Sequence, residues 1–150
     1  MSNSKSLPGI ISIEYLPAEE LTLYPKKFLT PGDTTSAIGD FSKLKLVGLA
    51  SCTTTPERTN AGLVYTSKVA GLLLENDELG NKQQNRLQEK FHVYRLTDVY
   101  KTGYLVGIDK KPFPEIIFSP ANDSAPDGMR AVNFEITWVT TLPPLELVLL

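Results

Sequence analysis

Hydrophobic and polar residues alternate with period two along several stretches of the chain, the spacing at which every second side chain of a strand points to one face. In the clearest case, residues 132–138, Val132, Phe134, Ile136 and Trp138 share one face and Asn133, Glu135 and Thr137 the other. Residues 91–96 and 104–108 are rich in aromatic and β-branched side chains and flank the polar stretch 97–103, a pattern that predicts a hairpin. Gly103 is placed to supply the positive φ of its loop. Further strands are expected at residues 10–15, 21–24, 44–50, 63–74 and 115–118, separated by Pro, Gly, Ser and Asn clusters. Roughly seven or eight strands of this kind predict a mainly β fold, an antiparallel β-sandwich or β-barrel.

Other segments break the pattern. Residues 51–60 form a threonine-rich stretch that reads as a long loop or irregular edge, and Pro56 argues against a central strand there. Residues 81–90 are good helix formers with almost no apolar face, which predicts a short exposed helix, or a loop, that orders only against a partner. Residues 32–40 and 120–128 carry turn formers and are expected as surface loops. A length of 150 residues without an internal repeat or linker predicts one domain.

The two ends invite a separate argument, because chain ends are normally polar and frayed unless something ties them down. Residues 1–8 are small and polar and read as an N-terminal arm. In residues 142–150 a double proline ends the preceding strand, and Leu145, Leu147 and Leu149 then alternate as in an extended segment. Such a tail either folds back as the last strand of its own sheet or is donated to the sheet edge of a neighbouring subunit. In the second case Leu142, Leu145, Leu147, Leu149 and Leu150 are the subunit-interface residues.

Composition narrows the function classes. With 41% hydrophobic and 21% charged residues the chain belongs with folded proteins. Fifteen basic residues against 17 acidic ones, scattered along the chain, leave no electrostatic footprint for nucleic acid. The pairs Lys26-Lys27 and Lys110-Lys111 each lie beside a proline and read as solvated turns. No stretch approaches the roughly 20 apolar residues that span a bilayer, and the start does not resemble a signal peptide, so synthesis in a cytoplasm is expected. The single cysteine, Cys52, has no second thiol for a disulfide or a zinc site.

Candidate chemistry is sparse. Every histidine-dependent nucleophile or metal arrangement hangs on His92 alone, which lies inside a predicted strand and reads as structural. Cys52 is a nucleophile only if His92 folds beside it. Glu19, Glu20, Asp77, Glu78, Asp123 and Asp127 read as solvated turn acids. Neither phosphate-binding glycine motif occurs. Tyr94, Tyr100, Tyr104 and Trp138 are the candidates for a carbohydrate- or ligand-stacking platform on a small β-module. The expectation is a non-enzymatic protein without catalytic residues, metal or cofactor.

Residues 91–147 carry a resemblance. Phe91-His92-Val93-Tyr94-Arg95-Leu96, a polar turn, Gly103-Tyr104-Leu105-Val106-Gly107, a proline-marked strand, a loop and a last strand ending near Leu142-Pro143-Pro144-Leu145 are similar to small structural proteins encoded among the tail and neck genes of tailed phages and prophages of gut bacteria. Asn60-Ala61-Gly62-Leu63-Val64-Tyr65 resembles a glycine-aromatic strand start in the same proteins. The resemblance implies a virion subunit, assembled in the host cytoplasm into a tail, neck or head-tail connector. Its partners would be copies of itself and other virion proteins, with no direct contact to nucleic acid or membrane.

Overall fold

A computed structural model describes residues 5–24, 29–75, 80–120 and 131–148, and places twelve strands in two sheets. Across the first sheet run β1 (Lys5–Ser6), β6 (Ser51–Thr59), β7 (Gly62–Leu74), β11 (Ala131–Thr140) and β10 (Glu115–Pro120). Across the second run β3 (Thr22–Tyr24), β4 (Thr34–Ile38), β12 (Leu145–Leu147), β9 (Gly103–Val106), β8 (His92–Asp98), β2 (Ile10–Pro17) and β5 (Ser42–Leu44). Neighbours are antiparallel except β12 on β4, which is parallel. Both sheets are open, so the architecture is a sandwich and not a closed barrel. One helix, α1 (Asn81–Glu89), and a 3-10 turn at Ala18–Glu20 complete the described elements.

The alternation of residues 132–138 builds the space between the sheets. On β11, Phe134, Ile136 and Trp138 stand opposite Gly71, Val69 and Ser67 of β7 and face Ile13, Tyr94, Leu96 and Val106 of the second sheet. Each large aliphatic or aromatic side chain buried there stabilises the fold by about 1.5–3 kcal/mol. Gly71 lets the sheets close tightly here: a Cβ at that position would lie 3.0 Å from the Ala50 Cβ and 3.1 Å from the Phe134 ring.

Period two also explains a second core. Val93 and Leu105 alternate with Tyr94 and Val106, so they point to the far face of the seven-stranded sheet. There they join Leu16 and Leu145 under a cover of Ala18, Leu21, Leu23 and Phe41. The seven-stranded sheet is thus packed on both faces. Among the described residues, the five-stranded sheet is packed against on one face only.

Several expectations are corrected. Residues 44–50 are not one strand: β5 ends at Leu44, and residues 45–47 cross to the other sheet, where Leu46 bridges Leu73 and the Val47 N–H donates to Leu72 O at 2.8 Å. Residues 51–59 form a regular strand, tolerating Pro56 because β6 has no second neighbour at that position among the described residues. Residues 34–38, expected in a loop, form β4. The positive φ of the β8–β9 loop is at Lys101 (68°) and not at Gly103. Of the expected loop 120–128, Pro120 ends β10 and residues 121–128 lie outside the described residues.

Helix α1 does form, and it orders against its own chain rather than a partner. Its Leu87 enters the main core, Gln83 Nε2 donates to Tyr15 Oη at 2.9 Å, and Gln88 Oε1 accepts from the Phe118 N–H at 3.1 Å. The helix therefore covers the edge of β10, one of the ways in which a sheet avoids pairing with a foreign strand.

Both end segments join sheets of their own chain, the second in the fold-back alternative expected for the tail. Lys5 and Ser6 pair with β6 as β1, while residues 1–4 lie outside the described residues. The C-terminal tail folds back as β12, between β4 and β9 of its own sheet. Leu142 and Leu145 are buried in the two cores and Leu147 is half-buried against the second, so none of the three projects as a free arm. Leu149 and Leu150 lie outside the described residues.

Candidate functional site

The side chains with intrinsic chemistry are dispersed. Cys52 sits in the main core, and burial pushes its thiol up to about 11, far from a reactive thiolate. His92 begins β8, where its Nδ1–H donates to Lys90 O at 3.1 Å and its ring meets Tyr15 edge-on at 5.6 Å. Burial holds its pKa below the ordinary value; the neighbouring Lys90 charge acts in the same direction, against the Lys90 carbonyl and Glu20. Glu19 and Glu20 are exposed on the 3-10 turn, and Asp77, Glu78, Asp123 and Asp127 lie outside the described residues. The described residues contain no cluster of three or more His, Cys, Asp and Glu able to hold a metal, and no helix long and apolar enough to cross a membrane.

The four aromatics proposed as a stacking platform do not share a surface. Trp138 is only 1% exposed, with its Nε1–H donating to Pro112 O at 3.0 Å, and Tyr94 is equally buried, which drives its hydroxyl pKa upward. Tyr104 is half-buried, its hydroxyl donating to Asp98 Oδ2 at 3.3 Å. Tyr100 alone stands out, 75% exposed on the β8–β9 loop. That loop is set by Asp98, whose Oδ1 accepts from the N–H groups of Tyr100 and Thr102, both at 2.9 Å. An aspartate two residues before the N–H it accepts from is a turn signal legible in the sequence.

Two of the surface concavities among the described residues are large enough to compare. One, of about 630 Å³, opens beside β8, β9 and β12 and is lined by Glu14, Arg95, Thr97, Lys101 and Ser36 among others. Its central cation is already engaged: Arg95 makes two hydrogen bonds to the Glu14 carboxylate, at 2.7 and 3.1 Å, and stacks 4.1 Å over the Phe41 ring. Such a bidentate pair holds β2 and β8 in register.

The other, of about 670 Å³, lies on the outer face of the five-stranded sheet. Its floor is Ala70, Gly71 and Leu72 of β7, and Leu49 and Ile117 rise from it 60% and 61% exposed. Ile117 stands there because Ile116-Ile117-Phe118 is a run of three apolar residues on one strand: Ile116 and Phe118 face the core, so Ile117 must face away. The strand between β7 and β10, β11, presents Asn133 and Glu135 on the same face, with Glu135 directly between Ile117 and Ala70, so the concavity is a mixed surface on which exposed aliphatic side chains stand among polar ones. Compared with known proteins, the chain matches no family model, no curated protein and no solved structure.

Proposed function

We propose that this chain is a non-enzymatic structural subunit that works through protein-protein contacts with copies of itself and with other subunits of a virion tail, neck or head-tail connector. The observation that carries the contact role is the asymmetry between the sheets. The described residues cover both faces of the seven-stranded sheet but not the outer face of the five-stranded sheet, where Leu49 and Ile117 are presented. Exposed aliphatic side chains such as these gain free energy, at about 25 cal/mol per Å² of apolar surface removed from water, when a partner covers them. The virion setting rests on the resemblance of residues 60–65 and 91–147.

Light scattering across a concentration series tests the contact role. The unmodified protein is expected to gain mass with concentration. Leu49→Glu with Ile117→Glu, both at exposed positions, should keep the mass of a monomer and an unchanged unfolding midpoint. A protein that stays monomeric throughout overturns self-assembly, and equal association of the two overturns the assignment of the face.

A further inference from the structure

The C-terminal strand occupies an unusual place. β4 and β9 do not pair with each other; β12 lies between them and joins the β3–β4 hairpin to the rest of its sheet. Glu146 and Leu147 pair with Thr34 and Thr35 on one side, and Leu145 and Glu146 with Leu105 and Tyr104 on the other. The Val148 N–H then donates to Thr35 O at 2.9 Å, and Val148 O accepts from Ser36 Oγ at 2.7 Å. Three residues of strand thus fill a slot whose walls come from elsewhere in the chain.

The connection into that slot is short. β11 ends at Thr140 in one sheet and β12 starts at Leu145 in the other, leaving residues 141–144 to cross. Five residue steps reach at most roughly 17 Å, against about 10 Å between packed sheets, and Leu142 must dip into the core on the way. Beyond Leu142 come Pro143 and Pro144, which hold φ fixed, favour extended backbone and offer no N–H needing a partner. A stiff, extended linker of this kind loses little by continuing straight on instead of returning, and short constrained hinges favour exchange of the element they carry.

We infer that β12 is exchanged between copies of this chain: Leu142 stays anchored in its own core, Pro143-Pro144 acts as the hinge, and Leu145–Leu147 enters the slot between β4 and β9 of a neighbouring copy. A second copy is the one partner whose tail reproduces every pairing named above. The reach of the hinge requires the two copies to be in close contact. Donation in one direction propagates from copy to copy, whereas mutual donation closes a dimer. The inference rests on the self-assembly proposed above, in which the outer face of the five-stranded sheet brings copies together, and adds a second link between the copies so gathered.

The geometry supplies its own test. A Cβ on Gly103 would lie 3.5 Å from the Leu147 Cβ, within the range that a disulfide spans. The variant Gly103→Cys, Leu147→Cys is oxidised, separated by size, and run on denaturing gels without reductant, beside each single variant as a control for Cys52. With exchange, the associated fraction of the double variant runs as covalent dimers or a ladder that reductant collapses, and the single variants do not. If the associated fraction carries only bonds within one chain, exchange is overturned while self-assembly stands. If the protein never associates, self-assembly itself fails. If no bond forms and both new thiols remain titratable, β12 is not beside β9 and the inference is overturned.

Discussion

Leu105 and Leu145 stand directly opposite each other across the β9–β12 pair, both buried in the second core. The last strand is therefore held by packing as well as by its ladder. Leu145→Ala should cost about 2–5 kcal/mol, the range for deleting a well-packed leucine side chain. A shift of the urea midpoint at constant slope measures it. A loss below about 1 kcal/mol would mean that the leucine is not packed as described.

How far the sequence foretold the fold depended on the length of each pattern. Residues 132–138 alternate over seven positions, and the strand, its inward face and its buried Trp138 all follow. β1 and β5 are two or three residues long and too short to show a period, whereas β3 falls within the strand expected at 21–24 and β12 within the alternating segment 145–149. Residues 45–47 misled because their apolar run is real but serves a crossing between sheets. Helix α1 looked partnerless because a single leucine, Leu87, anchors it. The outer patch was readable in part: three consecutive apolar residues at 116–118 force one outward, whereas the position of Leu49 depends on a crossing that only tertiary structure defines.

Lys101 has φ 68°, in the left-handed region where an L side chain crowds the following carbonyl. Asp98 holds it there through its bonds to the flanking N–H groups of Tyr100 and Thr102. The side chain is exposed, so little packing is lost on its removal. Lys101→Gly should leave the fold intact and raise stability by up to about 1 kcal/mol, relief of strain outweighing the greater freedom of glycine in the unfolded chain. Thermal unfolding of the two proteins compares them directly. A fall of 1 kcal/mol or more would show that the lysine side chain makes a contribution the geometry does not reveal.

His92 links stability to pH. Its ordinary pKa is 6.5, and burial lowers it in the folded protein. As pH falls through 6.5, the unfolded chain takes up a proton that the folded one resists. The stabilising effect of the neutral ring is therefore fully present above 6.5 and declines from there until the depressed folded pKa is reached. His92→Gln keeps a side-chain donor within range of the Lys90 carbonyl but removes the titration. Urea midpoints taken between pH 7.5 and 5 should fall more steeply for the unmodified protein than for the variant. Parallel declines would place the titrating group elsewhere, because removing the only histidine in the chain would then have left the pH dependence untouched.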